Sequence, residues 1–196
     1  ADLLGFDGVL VNSMDAVSTR DFLLESAGAL AGLAVTLSGL AEDLIVFSNT
    51  GLIELDDVYA STSSIMPQKK NPDSLELVRA TAGDAAAAFN GLLATLAGLP
   101  RAYNRDLQKA TPHIWEACDE LAEATTVAAG AVGTMAVDES ALADAAGEGF
   151  ATATGVADTL AMAGIPFRTA HEVVARAAET GGDLQALREA TKTVIG

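Results

Sequence analysis

Basic side chains are scarce in this chain. Eleven lysines and arginines stand against 27 acidic residues, for a net charge of -16. Such a surface repels nucleic acid and anionic membranes, so neither is expected as a partner. Cysteine is almost absent too: Cys118 alone excludes an internal disulfide. No Cys or His stands around it at metal-ligand spacing, so a buried, reduced thiol is expected, with no metal and no cofactor. The sequence also lacks an uninterrupted apolar run long enough to cross a bilayer, and Ala1-Asp2-Leu3 carries neither a basic region nor a cleavage pattern, which leads to a cytoplasmic expectation. The first residue is not Met, which fits either a processed N-terminus or a reading frame entered partway.

With 196 residues the chain can bury one core, or one core and a small appended domain, without covalent staples. Only four lysines occur, while Ala, Gly, Val and Thr abound and the acids scatter over several segments. That pattern suits a high-salt cytosol, where salt screens self-repulsion. An ordinary acidic bacterial protein is the other reading that composition leaves open.

Helical periodicity dominates what is present. Leu23, Leu30, Leu37 and Leu44 recur every seven residues, with Leu33, Leu40 and Phe47 interleaved, which predicts one long helix from about Ser13 to Ser48. Its length would be on the order of 50 Å. A second helix is expected from Pro72, carrying Leu75, Val78, Ala82, Ala85, Phe89, Leu92 and Leu96 and closed by Gly98 and Pro100. A third, from Pro112 to Met135, carries Ile114, Cys118, Leu121, Thr125, Ala128, Val132 and Met135. Shorter helices near 139–146, 150–163, 170–180 and 184–194 follow, interrupted by Gly164, Pro166 and Gly181-Gly182. The expected fold is all-α: an elongated bundle of long helices over 1–137 and a small helical domain over 138–196. Only Val9–Val11 and Leu52–Leu55 suggest short extended segments.

Between the first two long helices lies a polar connection, residues 61–73, with two prolines and two of the four lysines. Loop amides, ammonium groups and a helix N-terminus together favour carboxylates. A solvated linker that happens to contain Ser and Lys is the alternative. Within the connection, Ser63-Ser64-Ile65-Met66-Pro67-Gln68-Lys69-Lys70-Asn71-Pro72 resembles the signature loop of the fumarase/aspartase superfamily, in the version found in argininosuccinate lyases. The resemblance extends to Asn12–Ala16 with Arg20–Phe22, to Gly98–Pro100 with Tyr103, Asn104 and Asp106–Gln108, and to Gly164–Arg168 with Ala170–Glu172. It covers nearly the whole chain.

The resemblance implies a lyase that releases arginine and fumarate from argininosuccinate. It implies Ser63 as the proton-transferring residue, Lys69 as the cation stabilising charge beside it, and Asn71, Tyr103 and Gln108 on the substrate. Glu76 matches the acid that orients a catalytic histidine of another subunit. That histidine belongs to an earlier segment, and neither His113 nor His171 occupies its place. The resemblance further implies a homotetramer whose sites draw on three subunits, so that this chain, lacking the family's N-terminal part, supplies one wall of each. Residue by residue, other readings stay open: Asn71 as a helix cap, Asp73 with Glu76 as a capping box, Tyr103 at a loop edge and Gln108 opening the next helix. Two positions depart from the family: Thr62 replaces a glycine, and Thr111 replaces a lysine, with Lys109 nearby. Another superfamily lyase, such as adenylosuccinate lyase or fumarase, and a silent crystallin-like relative are the competing functions.

Overall fold

The computed structural model describes residues 1–66, 70–147 and 152–195. The chain is all-α in class and divides into two compact units, Ala1–Val137 and Asp138–Gly196.

In the first unit the expected opening helix is two. A short α1 (Ser13–Ser18) is capped by Asn12, whose Oδ1 accepts from the amides of Met14 at 3.0 Å and Asp15 at 3.1 Å. Thr19 then turns extended (φ -63°, ψ 137°) before α2 runs from Asp21 to Asn49. No glycine or proline marks the break. Arg20 sustains it by donating from Nη1 to the carbonyls of Val17 at 3.1 Å and Thr19 at 2.6 Å, which satisfies acceptors left open at the end of α1.

After α2 come β1 (Ile53–Glu54), β2 (Ser61–Thr62) and β3 (Lys70–Asn71), then α3 (Asp73–Leu96), a 3₁₀ turn (Arg105–Lys109), α4 (Ala110–Thr134) and β4 (Ala136–Val137). Strands β1 and β4 pair antiparallel, Ile53 opposite Val137, so the end of α4 returns to the end of α2. Val9–Val11, expected to extend, forms no strand. Pro112, expected to open the third helix, lies two residues inside α4, still within the first turn where its missing N–H leaves no bond unmade.

The core is a heptad seam built largely from alanine. Along α2 the buried residues are Ala27, Ala34 and Ala41 alternating with Leu37 and Leu44, with Ile45 beside the last; along α4 they are Ala110, Ala117, Ala124 and Ala131 alternating with Ile114, Leu121 and Ala128. On α3 the expected stripe is the buried one, with Leu75, Val78, Ala85 and Leu92 at its centre. On the other two helices the expected stripe is buried at Leu37, Leu44, Ile114, Leu121 and Ala128, but several of its other large residues fall to the flank. Leu33, Leu40 and Phe47 lie 39–44% exposed, Val132 is exposed, and Cys118, expected in the core, is exposed as well. Small side chains at the seam let the axes approach, and bulkier residues then fall on its flanks. A strict seven-residue repeat of this kind winds helices left-handedly around one another.

The stretch Ser13–Asn49 is long and apolar enough to cross a membrane by length and composition, contrary to the expectation from sequence, and only 28% of its most apolar window is buried within this chain. Its apolar side chains divide between the seam and an unpartnered flank.

Partial burial and acidic neighbours meet at Glu120 on α4. The carboxyl of Glu120 titrates above its ordinary value of 4.5, through partial desolvation first and then through the charges of Asp84, Glu116 and Glu123. An acid whose folded-state pKa is raised binds its proton more tightly in the folded chain, so stability falls as pH rises from 4.5 through that raised value. At neutral pH, therefore, Glu120→Gln should raise the melting temperature in low salt. The gap from wild type should narrow in molar potassium chloride, which screens the neighbouring charges, and the part due to desolvation should remain. Equal melting of both proteins in low salt would show that the cluster carries no penalty.

In the second unit Asp138 caps α5 (Glu139–Gly147), its Oδ1 accepting from Ala141 N at 2.9 Å and Ser140 Oγ at 2.6 Å; these bonds, Ser140's first, hold its pKa below the ordinary value. Helices α6 (Ala153–Met162), α7 (Phe167–Glu179) and α8 (Leu184–Ile195) follow. The α7–α8 turn uses Gly181 and Gly182 at φ 120° and 69°, with Gly182 N donating to Ala177 O at 2.8 Å. Val173, Ala177, Ala186 and Ala190 form the core of this unit, with Leu160, Leu187 and Val194 packed on it.

Candidate active site

The polar connection is a hairpin, not an open loop. Strands β2 and β3 pair antiparallel, Ser61 opposite Asn71 and Thr62 opposite Lys70, and the described residues 63–66 follow directly on β2. Thr62 sits in the strand base, where a β-branched side chain suits extended backbone. Asp73 fixes this base to α3: its Oδ1 accepts from Ser61 N at 3.1 Å as well as from Ser74 N at 3.1 Å. Ser74 Oγ donates to Tyr59 O at 2.5 Å. The capping readings fail here. Pro72 holds the N-cap position of α3 with no side-chain cap bond, so Asn71 is not a cap, and the Asp73 carboxylate turns back to the hairpin and forms no box with Glu76.

Ser63, half-buried just after β2, accepts at Oγ from Ile65 N at 3.3 Å and Met66 N at 3.2 Å. Two amides on one hydroxyl oxygen stabilise negative charge there and leave its proton free to be donated. Lys69 lies outside the described residues. Lys70 Nζ is held by Glu54 Oε1 at 3.1 Å and Asp57 Oδ1 at 2.6 Å. Asp57 and then Glu54 raise its pKa, so it stays charged but neutralised by its partners. The loop's basic character therefore does not rest on both lysines.

Asn71 is half-buried in β3 and borders a cleft of about 220 Å³ with Glu54, Leu55, Lys70 and Pro72. Glu76 is exposed on the first turn of α3, and no ion pair engages it among the described residues. Tyr103 and Gln108 lie beyond the other end of α3. Tyr103 is 57% exposed, and its hydroxyl accepts from Gln108 Nε2 at 3.2 Å, across the 3₁₀ turn that contains Gln108. Lys109 is the residue before α4, and Thr111 is in its first turn.

The candidate residues thus form two groups. Ser63, Asn71 and Glu76 sit at the N-terminal end of α3; Tyr103 and Gln108 sit past its C-terminal end. Twenty-four helical residues separate them, roughly 36 Å of axis. One chain does not bring them together. The histidines join neither group by contact: the His113 ring packs where a Cβ on Gly91 would stand, and His171 tilts against Phe167 with centroids 6.3 Å apart. Among the described residues, no group of three or more His, Cys, Asp and Glu side chains is placed to hold a metal.

Known proteins resolve which superfamily branch this geometry belongs to. A lyase family profile matches residues 1–86, and the profile described as argininosuccinate lyase C-terminal matches residues 150–192. An argininosuccinate lyase of Natronomonas pharaonis is 70% identical over all of this chain, which spans 40% of that protein. One from Halobacterium salinarum is 62% identical, again over the whole chain and 41% of its own length. The chain belongs to the argininosuccinate lyase family. Among solved structures, an EDDS lyase in complex with formate matches this chain with a TM-score of 0.86 at 34% identity, over 98% of the chain and 40% of that protein. A class II fumarase from Schistosoma mansoni, at 18% identity and a TM-score of 0.79 over 94% of the chain and 38% of its own, shares the fold. The sources of the two sequence relatives are halophilic archaea, which fits the acidic composition of this family member.

Proposed function

We propose that the full-length protein containing this chain cleaves argininosuccinate to arginine and fumarate. The observation that carries the reading is Ser63 Oγ under the Ile65 and Met66 amides, in a hairpin whose sequence follows the argininosuccinate version of the signature loop. The reaction removes a proton from the carbon next to a carboxylate, breaks the carbon–nitrogen bond and returns a proton to the departing guanidino nitrogen. Ser63 carries one of those two transfers, helped by the loop amides and by Lys69. Asn71, Tyr103 and Gln108 hold the substrate. The Tyr103 hydroxyl accepts from Gln108, so its own proton is available to a substrate oxygen. Glu76, unpaired among the described carboxylates, is available to orient a histidine.

A site drawing on both groups needs more than one copy of the chain, because α3 holds them roughly 36 Å apart. The exposed flank Leu33, Leu40 and Phe47 repeats every seven residues and offers a further helix a seam. Both features support self-association, which we read as a homotetramer with residues 1–137 in the central bundle and residues 138–196 as the C-terminal domain; the acidic composition supports a cytoplasmic enzyme without a membrane or nucleic-acid partner.

Fumarate absorbance tests the substrate. The full-length protein should release fumarate from argininosuccinate and hardly any from adenylosuccinate or malate. Preference for either of those would assign it to another branch of the superfamily, and no release from any of the three would mark a silent structural relative.

A further inference from the structure

The turn that carries Tyr103 holds the one non-glycine residue with positive φ among the described residues. Ala102 sits at φ 73°, in the left-handed region that costs free energy for any residue with a Cβ. Three contacts keep it there. Ala102 N donates to Met14 O of α1 at 3.3 Å. Asn104 Nδ2 donates to the carbonyls of Pro100 at 2.9 Å and Ala102 at 3.2 Å, bracketing the residue from both sides. The Arg101 guanidinium pairs with the Asp15 carboxylate, again on α1. Asp15, Pro100, Arg101 and Asn104 line a shallow cleft of about 400 Å³ beside this turn, between α1, the start of α2 and the 99–107 segment.

From this bracket we infer that Asn104 is a positioning residue, which, with the Arg101–Asp15 pair, holds Ala102 in its strained conformation so that the adjacent Tyr103 presents its phenol at the angle Gln108 and substrate require. The inference rests on the proposed role of Tyr103. A relaxed turn would let φ of Ala102 fall to an ordinary value and swing the Tyr103 side chain away, since one backbone rotation at residue 102 redirects everything after it. Asn104 itself is turned toward backbone carbonyls, with both of its observed bonds inside the turn.

A double-mutant cycle in the full-length enzyme tests this. Asn104→Asp is isosteric but cannot donate to either carbonyl. It should raise KM for argininosuccinate about tenfold, the scale of one lost hydrogen bond to substrate, with kcat changed far less. Tyr103→Phe should raise KM similarly. If Asn104 acts through Tyr103, adding Asn104→Asp to Tyr103→Phe should cost almost nothing more. Additive losses, or an unchanged KM in Asn104→Asp beside a raised one in Tyr103→Phe, would overturn the positioning role while leaving the site assignment intact. An unchanged KM in Tyr103→Phe would overturn both. Should Asn104→Asp fail to fold, Asp15→Asn breaks only an exposed pair and should move KM in the same direction by a smaller factor; no movement there would count against the inference.

Discussion

Ser63→Ala in the complete enzyme should lower turnover by about a hundredfold or more, the usual scale for losing a positioned proton-transfer group. The protein should fold and assemble as before. Ser63 is half-buried just after β2, and among the described residues its hydroxyl accepts from two neighbouring amides that water can serve instead. Ser64→Ala is the control, because Ser64 is exposed and its hydroxyl makes no bond among the described residues; it should cost much less. Lys69→Ala should match Ser63→Ala in turnover and also weaken binding, since a cation beside the substrate carboxylates acts in both the ground and transition states. Lys70→Ala should behave differently from Lys69→Ala. Its ammonium is committed to Asp57 and Glu54, so its loss should loosen the hairpin base without removing a charge from substrate. Near-normal turnover in Ser63→Ala would mean that this hairpin is not the catalytic one, however close its sequence.

The candidate residues of the hairpin could be named from the sequence because the signature is contiguous, and a contiguous motif needs no knowledge of tertiary structure. The all-helical class was legible for a related reason: apolar residues recur every three or four positions over three long stretches. Which residues of each stripe reach the core was less so. Hydrophobicity ranks Leu33, Leu40 and Val132 above Ala34, Ala41 and Ala131, yet the seam takes the alanines, because close approach of axes rewards small volume and not apolarity alone. The break between α1 and α2 left no local signal, since Arg20 stabilises it by reaching back to carbonyls rather than by any feature of its own backbone preference. Strands of two residues cannot show alternation, so the hairpin base read as loop. The pinning of Lys70 depends on Glu54 and Asp57, which lie 16 and 13 positions earlier, a spacing with no regular element to predict it.

The hairpin is also tied to α4, and a single methyl group should expose that tie. Gly130→Ala on α4 would place a Cβ 1.9 Å from Tyr59 Oη and 2.5 Å from its Cζ. Neither distance is tolerable, so Tyr59 must leave its notch. Tyr59 lies in the turn between β1 and β2, where its carbonyl accepts from Ser74 Oγ, and Ser74 stands beside the Asp73 that fixes the hairpin base. Overpacking of this kind typically costs about 1–3 kcal/mol, whereas replacing a helical glycine by alanine gains about 1 kcal/mol of helix propensity. The clash should win, lowering the melting temperature by several degrees, on a scale of about 2–4 °C per kcal/mol for a protein of this size. Gly133→Ala, three residues along the same helix, meets nothing within 4 Å and should gain the propensity term alone. The same substitution should therefore change sign within one helical turn. Tyr59→Phe in the Gly130→Ala background removes the nearest clashing atom and should recover part of the loss. A Gly130→Ala protein that melts at or above wild type would show that Tyr59 moves freely, and would sever the structural link from α4 to the hairpin that holds Ser63.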